Sequence, residues 1–468
     1  MTPTPPKEPP PPFYGGLFGA LAPFFLFLIG VGWLGISGAP DERGLWPILV
    51  ASLALGLVLA RDRSQYSDTL IRGMSEPLVM VMIIAWLLAG VLASLISASG
   101  LIESLVWLAH LSGVHGGAYA AVSFLLCCAV STATGTSLGT LMLCAPLLYP
   151  AGGSLGADPA FLIGAILGGA TFGDNISPVS DTTIASSMTQ NAAMGEVVRS
   201  RLRYALPAAG ITLVTIWIFG GAAESPAISE PVVSGEPRSL AMLLAPALVI
   251  WLLLARKHLM VGLMFGVLAA AFLGLAFDLI QPHELLSIDR ENYIAKGLVL
   301  EGLERGIGIS IFTILIVALT AGLEETGIMS RLVGFAASHT RSARGAELWT
   351  FGAVSAAVLL TTHAVVAILT VGPFAKTTGE RFGLDPYRRA NLLDITVCTY
   401  PFLLPYFIPT ILAASTTGSG TAYAMPRLSA FTAGIHNVHS WALLLILLMA
   451  MITGFGRNNP TVPDSGPH

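Results

Sequence analysis

The sequence predicts an all-α polytopic membrane protein with inverted structural repeats, each containing a re-entrant hairpin and a broken helix. Three observations lead to this prediction. Of the 468 residues, 54% are hydrophobic and only 11% are charged, against roughly a quarter in an ordinary soluble domain. Apolar segments long enough to cross a bilayer recur along the chain. Residues that interrupt such segments in the first half return at a constant spacing in the second half.

The apolar segments are of two kinds, continuous and interrupted. A membrane helix needs about 20 mostly apolar residues. The continuous segments lie at 17–37, 45–60, 78–98, 204–221, 240–255, 259–277, 307–323 and 438–455. In the first half, segment 118–148 is interrupted by hydroxyl residues and glycine at 131–137, and segment 160–187 is interrupted at Gly173 and Asp174. Each interruption predicts a break in a helix at membrane depth, which must face protein or a water-filled cavity.

The interruptions of the first half recur 227 positions later. Pro373 follows Pro146 at this distance. The Gly-x-Asp-Pro turn at 156–159 returns at the same offset, at 383–386. Because turn and breaker residues keep one register over a long stretch, they indicate an internal repeat.

Loop charges predict the orientation of the chain. Arg61 and Arg63 follow the second apolar segment, which places the N-terminus inside by the positive-inside rule. The loops at 111–117 and 151–159 contain no Lys or Arg, whereas the corresponding loops of the second half carry basic residues such as Arg341. The repeats are therefore predicted to be inverted in a cytoplasmic (inner) membrane, with both termini cytoplasmic.

The predicted organisation has six parts. They are a disordered cytoplasmic tail (1–12), an N-terminal two-helix segment (13–77), repeat 1 (78–200, with hairpin 118–148 and broken helix 160–187), connecting helices and an external segment (201–304), repeat 2 (305–415, with hairpin 348–374 and broken helix 386–412), and a C-terminal helix and tail (416–468). The polar stretch 287–305 is expected to form a surface helix. Inverted repeats with broken helices at the midplane are typical of secondary transporters.

Composition also argues against other classes. The net charge is −4 and clusters of Lys and Arg are expected only in short loops, so nucleic acid is not an expected partner. The cysteines all lie inside apolar stretches, where a disulfide framework or a thiolate metal site is not expected. They are Cys127, Cys128, Cys144 and Cys398.

The segment 173–183 reads Gly-Asp-Asn-Ile-Ser-Pro-Val-Ser-Asp-Thr-Thr and places Asp174 and Asp181 in an apolar span. A charged side chain in the membrane is costly and is a functional candidate by default; buried, protonated structural carboxylates are the alternative. The neighbours supply the oxygen ligands that a hard cation prefers: Asn175, Ser177, Ser180, Thr182 and Thr183. We expect Na⁺ to bind at Asp174, Ser177 and Asp181 and to alternate there with a proton.

The hairpin tips supply further candidates. In the first tip they are Thr134, Thr136 and Ser137, for which close helix packing is the alternative. In the second half, the possible contributors are Thr362, His363, Asp394 and Thr399. His363 can relay protons near neutral pH, although a lone histidine is more often a hydrogen-bonded structural residue. Asp394 is expected near the inner end of its span and is a weaker candidate than Asp174.

The segment 173–183, together with Gly-Thr-Ser-Leu-Gly-Thr at 135–140, resembles the signature of the NhaC family of sodium/proton antiporters in the ion transporter superfamily. The resemblance covers most of residues 78–455. It implies homodimers and elevator-type alternating access. It also places Asp174, Ser177, Asp181, Thr182 and Thr183 at the motif positions of the family. The chain departs from the family's second-half pattern at Leu393-Asp394-Ile395-Thr396 and at His363, and some relatives exchange organic acids or carry amino acids.

Three functions are open at this point. The first is Na⁺/H⁺ antiport without a cofactor. The second is a cation- or proton-coupled carrier or exchanger of small organic anions or amino acids, although no intramembrane Arg or Lys is expected as a counter-charge. The third is an aspartyl protease that uses Asp174 and Asp394, but Thr171 replaces the first glycine of Gly-x-Gly-Asp and Leu393 replaces the tyrosine. An enzyme is therefore not expected.

Overall fold

The computed structural model describes residues 13–37, 42–178, 180–221, 236–255, 257–290 and 293–457. Within these residues, nine helices are long and apolar enough to cross a membrane. This confirms the prediction of a helical, multi-pass membrane protein. The predicted tail at 1–12 lies outside the described residues.

The N-terminal part contains one helix more than predicted. Its helices are α1 (Leu17–Ser37), α2 (Leu45–Leu59), α3 (Arg63–Met74) and α4 (Pro77–Ala98). The predicted two-helix segment 13–77 therefore contains a third helix, α3. This helix begins where the Asp62 carboxylate accepts a hydrogen bond from the backbone N–H of Gln65 (3.0 Å), which is a standard N-terminal cap.

Repeat 1 follows with its two interruptions in place. Its helices are α5 (Leu101–Leu111), α6 (Gly116–Thr134), α7 (Ser137–Ser154), α8 (Pro159–Ile176), α9 (Asp181–Thr189) and α10 (Met194–Phe219). Gly135 ends α6 in a left-handed conformation (φ 71°), which glycine adopts without strain. The chain then turns directly into α7. The turn between α6 and α7 and the break between α8 and α9 both fall within segments that the sequence marks as interrupted.

The connecting region corrects the all-α prediction. It contains α11 (Leu244–Leu254), α12 (Leu259–Ala276), α13 (Pro282–Leu285), β1 (Ser287–Asp289) and β2 (Ile294–Lys296). The two strands pair antiparallel where a surface helix was expected at 287–305. Gly297, with φ 138°, then redirects the chain into the next helix.

Repeat 2 and the C-terminal part complete the fold. Their helices are α14 (Leu298–Glu324), α15 (Ile328–His339), α16 (Ala343–Thr361), α17 (Ala364–Arg381), α18 (Pro386–Val397), α19 (Ile408–Thr416), α20 (Ala430–Ile435) and α21 (Val438–Thr453). The C-terminal part therefore adds the short α20 to the single helix predicted there.

The repeat extends to the helix boundaries. Helices α16, α17 and α19 begin and end 227 positions after α6, α7 and α9, respectively. The halves also pack crosswise, since α9 contacts α17 and α19 contacts α7. Each half therefore completes the surroundings of the break in the other half.

Helices α4 and α14 form a closely packed central pair. A Cβ atom on Gly302 of α14 would lie only 2.4 Å from Cα of Val91 in α4. Small residues allow membrane helices to approach at this distance. The pair flanks the two hairpins on one side of the molecule, because α4 contacts α7 and α14 contacts α16 and α19.

Candidate ion-binding site

The first break lies between α8 and α9, at residues 177–180. Pro178 has no backbone N–H, so the helical hydrogen-bond pattern cannot continue through it. The backbone N–H of Ser177 still donates to the carbonyl of Gly173 (2.8 Å) and closes the last turn of α8. Asp174 therefore lies in the last turn of a helix, beside an unwound segment.

Asp174 is buried and is held by two hydroxyl groups. Ser137, at the start of α7, donates to Oδ2 (2.8 Å), and Ser180, in the break, donates to Oδ1 (2.7 Å). No ion pair in the described part of the chain includes Asp174. This carboxylate thus has hydrogen-bond donors but no fixed counter-charge.

Gly173 explains how the hairpin tip reaches Asp174. A Cβ atom on Gly173 would lie 2.3 Å from the backbone nitrogen of Thr132 in α6, a distance that no side chain can accept. The absence of a side chain lets α6 pack against the end of α8. This packing brings the tip that follows α6, and with it Ser137, to the Asp174 carboxylate.

Arg201 of α10 is a buried cation that connects both repeats. Its Nη1 lies 2.7 Å from Oδ2 of Asp394 in an ion pair that is fully buried. The same nitrogen donates to Oγ1 of Thr183 (2.9 Å) and to the backbone carbonyl of Asn175. Its Nε donates to the Asn391 side chain (3.1 Å). Arg201 thus holds both ends of the first break against α18.

The expectation of no intramembrane Arg or Lys was wrong. The predicted span began after Arg201, whereas α10 begins at Met194. A signal was present in the sequence, because Val197, Arg201, Ala205 and Ala208 lie at helical spacing and all are buried. An arginine at such spacing on an apolar face belongs to the helix and not to the preceding loop.

A row of polar side chains joins Asp174 to Asp394. The Ser180 hydroxyl lies 3.0 Å from that of Thr182, which lies 3.9 Å from Sγ of Cys398. The Cys398 thiol donates to Oδ1 of Asp394 (3.3 Å). Asp394 is fully buried between the repeats. The carboxylates of the two halves therefore share one polar interior.

Asp181 and Asn175 lie near Asp174 in different surroundings. Asp181 is exposed, and its carboxylate accepts from the backbone N–H of Thr182 at the start of α9 (2.8 Å), where the helix dipole favours a negative charge. It interacts electrostatically with His363. The Asn175 side chain is fully buried, and its amide atoms have no hydrogen-bond partner among the described residues.

In the first tip, only one of the three hydroxyl candidates contacts Asp174. Thr134 donates to the backbone carbonyl of Val130 (2.8 Å), and Thr136 accepts from the backbone N–H of Gly139 (3.2 Å). These hydroxyls end α6 and begin α7, so they shape the turn. The structure brings Ser137 to the carboxylate and adds Ser180 as its second partner.

The second tip is less polar in its contacts. Thr362 ends α16 with φ 54°. His363 precedes α17 without a side-chain capping hydrogen bond, and its partly buried side chain has no partner for Nδ1 in the described structure. The Thr399 hydroxyl donates to the backbone carbonyl of Thr396 (2.7 Å). Of the second-half candidates, Asp394 therefore has the most polar contacts with repeat 1.

Sequence comparison identifies the family. The profile of the Na⁺/H⁺ antiporter family matches residues 28–221, which include α8, the break and α9. This chain is similar to that family over the matched residues. The match confirms the resemblance inferred from 173–183, and it indicates a transporter and not an enzyme.

Three characterised relatives agree with this assignment. The Na⁺/H⁺ antiporter NhaC of Alkalihalophilus pseudofirmus is 27% identical over 55% of this chain and 56% of its own length. The malate-2H⁺/Na⁺-lactate antiporter of Bacillus subtilis is 25% identical over 74% of this chain and 77% of the relative. The arginine/ornithine antiporter ArcD of Halobacterium salinarum is 25% identical over 87% of each chain.

Proposed function

We propose that this protein is a Na⁺/H⁺ antiporter in which Na⁺ and a proton compete for Asp174. The supporting observation is the environment of this carboxylate, which is buried, accepts two hydroxyl hydrogen bonds and has no ion-pair partner. An ionised carboxylate is unfavourable in such a place unless a cation or a proton neutralises it. Because one carboxylate cannot hold both, movement of one ion requires release of the other.

The proposed Na⁺ ligands surround the first break. A hydroxyl that donates to Asp174 can rotate about its C–O bond and present an oxygen lone pair to a cation. Ser137 and Ser180 are placed to do so within hydrogen-bond distance of the carboxylate. Ser177, at the end of α8, and Asp181, at the start of α9, complete the proposed set. The exposed Asp181 would meet the entering ion.

We also propose how the site alternates between the two sides of the membrane. The matching helix boundaries and the crosswise packing of α9 on α17 and α19 on α7 support two repeats of inverted orientation around one site. Under this proposal α4 and α14 form the static part of each protomer of a homodimer. The hairpins and broken helices move against it as an elevator, and the N-terminus is cytoplasmic.

The test is Asp174→Asn, which keeps the side-chain volume and removes the charge. The variant is reconstituted in proteoliposomes with an internal pH dye, and proton movement is followed after a Na⁺ pulse. We expect this movement to be more than about 100-fold slower than in the parent protein. Mutation of the outer partners of a metal site typically lowers activity by only about 10–100-fold. Asp158→Asn is the matched control. Asp158 caps α8 by accepting from the backbone N–H of Ala160 (2.9 Å), a role that Asn also performs. Normal exchange by Asp174→Asn would remove Asp174 from the mechanism.

A second candidate function is coupled exchange of a small organic anion or amino acid. It is favoured by the relatives that are named as malate/lactate and arginine/ornithine antiporters. Flux of labelled malate, lactate and arginine, measured beside the Na⁺-induced pH change, separates the two functions. Uptake that needs Asp174 and a Na⁺ gradient would favour the organic exchanger.

A further inference from the structure

A cleft distinct from the surroundings of Asp174 lies between the central pair α4 and α14 and the helices α7 and α19. Its volume is about 430 Å³, far larger than a single alkali cation needs. Met142 of α7 lines it and stands five residues after Ser137, roughly 7.5 Å along the helix at ~1.5 Å per residue. On the proposed orientation the cleft opens outward.

The lining of this cleft carries both signs of charge. Its guanidinium groups belong to Arg43, Arg305 and Arg427, and its carboxylates belong to Glu42, Glu301 and Glu304. The three arginines, Glu301 and Glu304 are exposed, and no ion pair in the described part of the chain includes any of them. Among these five exposed groups, opposite charges thus line one cavity without forming an ion pair in the described part of the chain.

This charge pattern does not suit a cation alone. A cleft that concentrates Na⁺ would carry a single, negative sign, because charges of one sign focus the field and attract the oppositely charged ion. Because three guanidinium groups accompany the three carboxylates, the lining has no excess of negative charge to attract Na⁺. They do suit a carboxylate, which guanidinium binds through two parallel hydrogen bonds.

The charged groups come from parts of the fold on both sides of the cleft. Glu301 and Arg305 are four residues apart on α14 and therefore lie on one face of the helix. Arg427 follows α19, and its guanidinium lies against the backbone of Gly418, with Nε 3.5 Å from where a Cβ would stand. A ligand bound to Arg305 and Arg427 together would bridge α14 and the α19 side.

We propose that this cleft binds a small organic zwitterion of the α-amino acid class. The carboxylate of the ligand contacts Arg305 and Arg427, and its ammonium group contacts Glu301 and Glu304. The inference rests on the proposed transport function, since it makes the cleft the entry site for an organic solute whose movement is coupled to the ion at Asp174. It assigns a role to charges that Na⁺/H⁺ exchange alone does not use.

Binding to the full-length protein in detergent tests this proposal. Trp86 lines the cleft, so tryptophan fluorescence and calorimetry can both follow titration with L-alanine, L-glutamate, L-arginine, L-malate and L-lactate. We expect saturable binding of at least one amino acid. Arg427→Gln and Arg305→Gln should each weaken it about ten-fold, the equivalent of ~1.4 kcal/mol, and Glu301→Gln should weaken it similarly. Arg341→Gln, which changes an exposed arginine outside the cleft, is the control and should bind like the parent.

The outcomes separate this inference from the proposed function. If malate or lactate binds and no amino acid does, the proposal that the ligand is a zwitterion is wrong. If both arginine variants bind with unchanged affinity, the cleft is not the binding site. Amino acid binding retained in Asp174→Asn, with Na⁺/H⁺ exchange lost, supports both proposals. If Asp174→Asn retains Na⁺/H⁺ exchange, the proposed ion site is wrong and the proposed cleft ligand is unaffected. Absence of binding by every probe overturns the inference while leaving exchange intact.

Discussion

The two halves of the molecule share helix boundaries but differ in chemistry. Helices α6 and α16 begin and end at positions 227 apart, yet the position equivalent to Asp174 is Pro401 and the position equivalent to Asp181 is Ile408. Asp394, in turn, corresponds to Leu167. The repeat thus preserves the backbone breaks while each half places its carboxylates independently. The comparison indicates that an asymmetric site can occupy a symmetric scaffold.

The two carboxylates are also neutralised differently. Asp394 is fixed in a buried ion pair with Arg201, whereas Asp174 has only hydroxyl partners. A carboxylate with a permanent cation beside it has little affinity left for a second one. We infer that the second half stabilises the break and that the first half exchanges ions.

The largest effect on stability is expected from breaking the ion pair of the second half. Arg201→Gln leaves Asp394 as an unpaired charge in a fully buried site, which should lower the free energy of unfolding by about 3–5 kcal/mol. Thermal unfolding in detergent measures this change. The double variant Arg201→Gln/Asp394→Asn should recover much of the loss, because no unpaired charge remains.

Arg331→Gln is the control for this prediction, because Arg331 is an exposed arginine of the second half. A surface substitution of this kind typically changes stability by less than about 0.5 kcal/mol. If Arg201→Gln unfolds at the temperature of the parent, the ion pair with Asp394 does not hold the break.

A smaller effect is expected where the first tip meets Asp174. Ser137→Ala removes one of the two hydroxyl donors to the carboxylate. A hydrogen bond to a charged group contributes about 1.5–3 kcal/mol, so the KM for Na⁺ should rise ten-fold or more. Na⁺ titration of the exchange rate measures this KM.

The equivalent position in the second tip provides the comparison. It is Ala364, and Ala364→Ser should leave the KM for Na⁺ unchanged because no buried carboxylate stands at the equivalent of Asp174. An unchanged KM in Ser137→Ala, or an equal change in both variants, would contradict the asymmetric site.

The smallest effect concerns the backbone of the two tips. Gly135 and Thr362 occupy equivalent positions, and both have positive φ, 71° and 54°. Gly135→Ala should lower the free energy of unfolding by about 1 kcal/mol, because a side chain is strained there. Thr362→Gly should raise it by at most about 1 kcal/mol, since the relief of strain is partly offset by the greater freedom of glycine in the unfolded chain.

Thermal unfolding of the two single variants checks these opposite signs. Loss of stability in Thr362→Gly comparable to that in Gly135→Ala would show that the Thr362 side chain makes a stabilising contact and would refute the equivalence of the tips. Ser342→Thr provides a matched control, because Ser342 caps α16 by accepting from the backbone N–H of Gly345 (3.0 Å) and threonine is also a good cap.

The sequence by itself predicted most of the membrane-crossing helices, the turns that follow α6 and α16, the break between α8 and α9, and Asp174 as a candidate site residue. It did not predict α3, α20 or the two short strands. Hydropathy, Gly and Pro are local properties, so the spans and the interruption at 177–180 could be predicted from neighbouring residues alone. A carboxylate in an apolar span is also recognised as a functional candidate from the sequence, without knowledge of its partners. The offset of 227 needed only comparison of the chain with itself.

Only the tertiary structure decided which side chains meet. The pairing of Arg201 with Asp394, the choice of Ser137 over Thr134 and Thr136, and the charges that line the cleft all join residues from different helices. Such contacts depend on how the helices pack, and packing depends on side-chain shape over the whole interior. Local patterns contain no record of it, which is why the sequence predicts a span that begins only at 204 and leaves Arg201 outside it.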